Sequence, residues 1–215
     1  MREACFVCGR KATRQCRAGS VLEGGPGLSN SPAQRRICSQ CCGKGRGRTI
    51  ECPDTCPRFR AGARTALLRL AELSGDADFE IRFGEALHNL RLALVRVRRT
   101  GLADLTDLDA KQAFANVADT MRTRSGGLIF DFRSPDPRVQ MLGDALLAVA
   151  TLHERGGKGM AKTEAIDLMR CLKYMEKQAA TLEKQGRGAT QYLDLICQAV
   201  SNDYLTREPD GVVRG

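Results

Sequence analysis

The chain has 215 residues, 42% hydrophobic and 27% charged, with 5% aromatic residues and no tryptophan. That is the composition of a folded protein rather than a disordered or collagen-like one, and no uninterrupted run of about 18 apolar residues is present that could cross a membrane as a helix. The formal net charge of +9 points toward anionic rather than cationic partners.

Eight of the ten cysteines lie within the first 56 residues, as Cys5-x2-Cys8, Cys16, Cys38-x2-Cys41 with Cys42 adjoining, and Cys52-x3-Cys56. Two thiolates separated by a tight two-residue turn can bind one tetrahedral ion while turn amides point back at the sulfurs. Eight thiols suffice for two such ions. Because the side chains of adjacent residues diverge, Cys41 and Cys42 are expected to serve different metals. The predicted sites are therefore Cys5, Cys8, Cys38 and Cys41 around one ion, and Cys16, Cys42, Cys52 and Cys56 around the other. The same pairing with Cys41 and Cys42 exchanged is the alternative that the spacing leaves open. Two structural Zn²⁺ are expected, since closed four-thiolate sites with this spacing suit zinc; an iron–sulfur cluster is the minor alternative, because four thiolates suit it too.

A disulfide framework would require an oxidising compartment and a secretory signal. The chain opens Met-Arg-Glu-Ala-Cys-Phe-Val-Cys, with no apolar signal region, so a cytoplasmic protein with reduced thiols is expected. Thioredoxin-like redox chemistry needs its Cys-x2-Cys between a strand and a helix, a context that neither pair has on sequence grounds.

The stretch Arg36-Ile-Cys-Ser-Gln-Cys-Cys-Gly43, with Arg48-Thr-Ile-Glu-Cys-Pro-Asp-Thr-Cys-Pro57 after it, resembles the cysteine-rich module of a family of uncharacterised bacterial proteins, read as I-C-x-x-C-C-G, a basic residue, then C-P-x-x-C-P. The resemblance covers residues 5 to about 64. The last pair is Cys52-Pro-Asp-Thr-Cys56-Pro, with three residues between the cysteines. More loosely, the order of pairs is similar to cross-braced treble-clef fingers of the MYND and HIT kind. This resemblance implies a two-metal module of treble-clef or zinc-ribbon type and a role in docking other proteins, although the chain has no ligand histidine in this region.

Residues 1–65 carry 13 Lys and Arg against 4 Asp and Glu, whereas residues 66–215 carry 21 of each. All the excess base thus belongs to the cysteine module, and two zincs on eight thiolates would leave that module at about +5. Arg35, Arg36, Lys44, Arg46 and Arg48 cluster around Cys38–Cys42, and Gly43–Arg48 is expected to be a flexible basic loop able to follow a phosphate backbone. With only Phe6 and Phe59 as aromatics, the module lacks an evident base-stacking platform. The Gly-, Ser- and Pro-rich stretch at about 17–35 is expected to be an excursion from the metal core.

From residue 61 the composition shifts to helix formers. Phe83, Leu87, Leu90, Leu94 and Val97 recur at helical steps, predicting one helix from Asp78 to Arg99 after a short one at Ala63–Leu73. Thr106 and Asp109 are placed to cap a helix bearing Phe114, Val117 and Met121, and Pro135 and Pro137 lead into another bearing Val139, Leu142, Leu146 and Val149. Leu168, Leu172, Met175, Ala179 and Leu182 mark a helix stopping at Gly186; Tyr192, Leu195, Ile196 and Ala199 mark the last. The predicted architecture is a zinc module over residues 1–60, an all-α bundle of five to six helices over 61–206, and a flexible tail over 207–215.

Gly156-Gly-Lys-Gly-Met-Ala-Lys-Thr163 approaches a phosphate loop, but Ala161 stands where glycine is needed and a helix rather than a strand precedes it, so a helix-to-helix turn is expected, with Thr163 or a nearby residue near the next N-terminus. His88 and His153 lie apart, and Cys171 and Cys197 read as inert thiols. Gly126–Pro137 is an apolar connector expected to plug one end of the bundle, with Asp131 and Arg133 facing solvent or each other; as a partner surface it would offer Leu128, Ile129, Phe130, Asp131, Phe132 and Arg133. Two closed metal sites and no nucleophile or acid/base cluster favour a non-enzymatic adaptor with a protein partner, no small-molecule substrate and no membrane. Nucleic-acid binding through the basic cluster is the alternative reading, followed by iron–sulfur or redox sensing.

Overall fold

The computed structural model describes residues 4–16, 35–53, 55–73, 77–157, 159–186 and 188–200. The predicted Gly/Ser/Pro-rich excursion and the tail fall almost wholly outside them. The chain forms two compact units, Met1–Gly62 and Ala63–Gly215.

In the first unit the chain doubles back through a turn at Cys5–Gly9, closed by an antiparallel bridge between Ala4 and Lys11. Gly9 sits at φ 70°, a region that glycine enters without steric cost. Strand β1 (Arg14–Gln15) pairs antiparallel with β2 (Arg36–Ile37), Arg14 opposite Ile37. Helix α1 (Ser39–Gly45) follows directly, N-capped by the Cys38 thiol, which accepts from the Cys41 amide. The expected flexible basic loop is instead ordered: its first half belongs to α1, and the Gly45 carbonyl then accepts from the amides of Arg48, Thr49 and Ile50. Gly47, at φ 63°, lies where any Cβ would meet the Phe59 ring at 2.5 Å, so both conformation and space require glycine there. The apolar centre is small, consisting of Cys5, Ala12, Ile37, Cys38 and Ile50. So little buried surface is far below what normally holds a 60-residue unit together, and an added cross-link is needed.

Helix α2 (Pro57–Leu73) carries the chain from one unit into the other. It starts six residues earlier than predicted, at Pro57, a residue whose fixed φ and missing N–H suit a first helical position. The second unit contains α3 (Ala77–Arg82), α4 (Gly84–Thr100), α5 (Asp107–Ser125), α6 (Pro137–Arg155), α7 (Ala165–Glu183) and α8 (Gln191–Ala199), with no strand among its described residues. α5 packs along α7, and α4 and α5 both pack on α6. The predicted stripes face this core: Leu87, Leu90, Leu94, Phe114, Met121, Leu142, Leu146, Leu168, Leu172 and Met175 are all inaccessible to solvent.

The helix predicted as continuous from Asp78 to Arg99 is broken at Phe83, which has φ −110° and ψ 21°. Gly84 weakens helix propensity at that point, and Phe83 turns its ring against Phe79 at 4.6 Å between centroids, while Phe79 also packs on Tyr174 at 5.1 Å. The hydrophobic period passes through the break unchanged, which is why the pattern could not reveal it.

α5 begins with the predicted capping box: the Asp109 amide donates to Thr106 Oγ1 at 3.2 Å and the Thr106 amide to Asp109 Oδ2 at 2.9 Å. Thr106→Ala is expected to lower stability by about 1 kcal/mol, read from the urea midpoint, whereas Thr106→Ser keeps the oxygen and should change little. α6 ends at Gly156 in the left-handed conformation, and α7 starts at Ala165 behind Glu164, without a side-chain cap. Residues 156–157 and 159–164 therefore lie in the expected helix-to-helix turn, with Glu164, the neighbour of Thr163, at the cap position.

Candidate metal centre

Two structural features deliver the four thiols of the first predicted site. The Cys5–Gly9 turn presents Cys5 and Cys8, and the start of α1 presents Cys38 and Cys41 one helical turn apart. The β1–β2 pair brings them together: Phe6 N–H donates to the Arg36 carbonyl at 3.0 Å, seating the turn beside the residues that lead into α1. All four sulfurs lie within 4.8 Å of one another, and Cys8 Sγ is 3.8 Å from Cys38 Sγ. Four sulfurs at about 2.3 Å from a central ion would be separated by about 3.8 Å along each tetrahedral edge, so the spacing fits a zinc-sized ion. The Cys5, Cys8, Cys38 and Cys41 group can hold a metal ion.

The surroundings favour thiolates. Burial would push the Cys5 thiol up, but amides from Cys38, Cys8 and Val7 outweigh it and bring the group down to about 6. The Cys41 amide likewise lowers Cys38. Cys41 is pushed up to about 12, first by burial and then by Cys8, Cys38 and Cys5. Negative charge at four neighbouring sulfurs must be balanced by a cation before the last proton leaves, which is the condition a bound dication meets.

Cys41 and Cys42 are successive helical residues, about 100° apart around the axis of α1, and it is Cys41 that joins the first group. Cys42 is not part of that group. The Cys52 thiol is raised by burial and then by the nearness of Cys56, Cys16 and Cys42, while the Gly47 amide opposes the shift. Cys52 therefore lies near enough to Cys56, Cys16 and Cys42 to feel them, yet among the described residues only the first group draws its donor atoms within 4.8 Å.

The basic residues divide by role. The Arg46 guanidinium donates to the Arg58 carbonyl and, at 3.5 Å, to the Cys42 carbonyl, joining the end of α1 to the start of α2. Arg35 and Arg36 are half-buried, with their main-chain carbonyls bonded to Cys16 and Phe6. Lys44 and Arg48 are exposed.

In the second unit, Leu128, Ile129, Phe130 and Phe132 are exposed rather than packed as a plug, and Asp131 pairs with Arg124 at 3.0 Å instead of with Arg133. His153 is fully buried and satisfied, Nε2 lying 3.0 Å from Asn89 Nδ2 and Nδ1 3.3 Å from the Ala161 carbonyl. Cys171 is buried and its thiol pushed up to about 12, chiefly by burial, which leaves it inert.

The sequence reading missed two polar residues at the centre of the helical unit. Arg91 holds both carboxylate oxygens of Glu80 and the side chain of Gln178. Asp107 accepts from the amides of Tyr192 and Leu193 at 2.8 and 3.0 Å, capping α8 from another helix. Arg91 follows Leu90 and precedes Leu94 on the apolar stripe, and that placement was the available signal. Compared with family models, curated proteins and solved structures, the chain matches none of them.

Proposed function

We propose that this protein is a non-enzymatic zinc-binding interaction protein, in which metal ions act as structural cross-links and the folded surfaces dock a protein partner. The observation that carries this reading is the convergence of Cys5, Cys8, Cys38 and Cys41: a complete four-thiolate set leaves no coordination position for a substrate, unlike a catalytic zinc site. A second Zn²⁺ would be held by Cys16, Cys42, Cys52 and Cys56, a reading supported by the influence of the other three on Cys52. The succession of knuckle, short antiparallel pair and helix supports a treble-clef-like module, in line with the resemblance to docking fingers. Bound metal would supply folding free energy and electrostatic balance, with no chemical step of its own.

Nucleic-acid binding is the second reading, favoured only by the exposure of Lys44 and Arg48. Of the other three residues in the basic cluster, Arg35 and Arg36 are half-buried and Arg46 already bridges two helices.

Elemental analysis of protein purified without added metal, read beside an absorbance spectrum, tests the proposal. Two zincs per chain and no visible bands are expected. One zinc would confine metal to the first set, and iron with charge-transfer bands would overturn the structural reading in favour of redox chemistry.

A further inference from the structure

The two sets of thiols are anchored unequally. All four ligands of the first set come from the Cys5–Gly9 turn and the start of α1, and they stand within 4.8 Å of one another. Cys5 and Cys38 are buried, whereas Cys16, Cys42, Cys52 and Cys56 are all half-buried, and those four are not drawn within that distance. Three of them nevertheless share one support: Cys16, Cys42 and Cys52 pack against the small core of Cys5, Ala12, Ile37, Cys38 and Ile50. The fourth, Cys56, immediately precedes α2, and its carbonyl accepts from the amides of Phe59 and Arg60 at 3.1 and 3.2 Å. Arg46 ties this residue's surroundings to α1, because its guanidinium reaches the Cys42 carbonyl at 3.5 Å and the Arg58 carbonyl.

This arrangement makes the second set depend on the first, but not the reverse. Helix α1 has 7 residues, too few to persist without tertiary support, and β1 and β2 contribute 2 residues each to their pairing. Cys42 sits on that helix, and the Cys16 amide donates to the Arg35 carbonyl at 2.7 Å, beside the strand pair. An ion held by Cys5, Cys8, Cys38 and Cys41 fastens α1 to the turn and thereby fixes the positions of both residues. The first set takes no ligand from residues 51–53 and 55–56, which carry Cys52 and Cys56 and form neither helix nor strand. Closing a tetrahedron at the second set requires that stretch to shift, and the free energy of the shift lowers the affinity for the second ion. Its half-buried sulfurs are also open to a competing chelator.

We propose that Cys16, Cys42, Cys52 and Cys56 form an exchangeable zinc site, filled only after the first set holds its ion and emptied before it, and that its occupancy fixes the head of α2. With the second ion in place, Cys42 on α1 and Cys56 at the start of α2 share one metal, so the joint between the two helices has two fastenings, the ion and Arg46. Without the ion, Arg46 alone remains. The start of α2 therefore responds to zinc availability while α1 and the first centre stay folded. This rests on the second Zn²⁺ of the reading given above and adds a regulatory role to it.

The test loads the full chain with cobalt(II), whose tetrahedral thiolate complexes are coloured, and withdraws the metal with chelators of increasing strength. Two steps of equal amplitude are expected, separated by about a hundredfold or more in free metal concentration. Cys42→Ser and Cys52→Ser should each abolish the weaker step alone, the retained ion showing that the unit is still folded, whereas Cys5→Ser should abolish both steps. Between the two steps, hydrogen exchange at the Phe59 and Arg60 amides should quicken by about tenfold or more. The Cys42 amide, bonded to the Cys38 carbonyl at 3.0 Å, should keep its protection. Release of both ions together, loss of both from Cys42→Ser and Cys52→Ser alike, or unchanged exchange at Phe59 and Arg60 overturns the proposal. So does a chain that holds one ion and keeps it in Cys42→Ser, an outcome that leaves the first centre and the interaction reading standing. A chain that takes up no zinc, or is isolated with iron, overturns both.

Discussion

Cys38→Ser is expected to cost the first unit its metal and its fold while leaving the helices of the second unit intact. Three properties meet at Cys38: it is buried, it belongs to the four-thiol group, and its sulfur caps α1. Serine is itself a favoured N-cap, so the substitution retains the capping function and removes the thiolate. What is lost is metal binding, which in structural four-ligand sites contributes roughly 10 kcal/mol or more of folding free energy. The remaining core of Ala12, Ile37, Ile50 and the other cysteines has no comparable reserve. Elemental analysis should show the loss of zinc, and limited proteolysis should cut within residues 4–53 while far-UV circular dichroism stays strongly helical. A variant that kept its full zinc content and its protease resistance would rule out the assigned ligand set.

The second large effect is expected at Arg91. Its guanidinium bonds both oxygens of Glu80 and, at 3.1 Å, Gln178 Oε1, all inside the helical unit. Arg91→Ala would leave a carboxylate only 15% exposed and a wholly buried amide without their partner. Removing one half of a buried pair costs about 3–5 kcal/mol, because the charge that stays behind is no longer compensated. Replacing both members by apolar residues, as in Glu80→Leu with Arg91→Met, should recover much of that loss. Urea midpoints at neutral pH distinguish these outcomes, and a loss below about 1 kcal/mol for the single variant would contradict the account.

The pair also has a pH signature. Burial pushes Glu80 up, but Arg91's hydrogen bonds and charge prevail and hold the carboxyl below its usual range, with the Tyr174 hydroxyl helping. A depressed folded-state value means stability that is present above the ordinary glutamate range and is lost as pH falls through and below it. Stability of the wild type should therefore fall more steeply on acidification than that of the Glu80→Leu/Arg91→Met variant.

Several of these features were legible in the chain itself. The Thr106/Asp109 capping box needs only residues three apart, and the leucine stripes of α4 and α7 follow from a 3.6-residue period, so local chemistry was sufficient to predict them. The break at Phe83 was hidden because a kink that preserves the period leaves no trace in the pattern. Gly43–Arg48 reads as flexible from its composition, yet the Gly45 carbonyl gathers three amides there, a closure that composition does not report. The apolar connector was expected inside. Thr120, Thr123 and Gln140 hold its backbone instead, and the side chains are left outside.

The sequence by itself determined which residues are chemically able to bind metal and which faces of the helices are apolar, because thiol spacing and hydrophobic period are properties of neighbouring residues. Only the tertiary structure decided that Cys41 rather than Cys42 joins Cys5, Cys8 and Cys38. It also decided that Arg91 meets Glu80 and Gln178, and that Ile129 faces outward. Each of these depends on the distance and orientation of groups far apart in the chain, set by how the strands and helices pack.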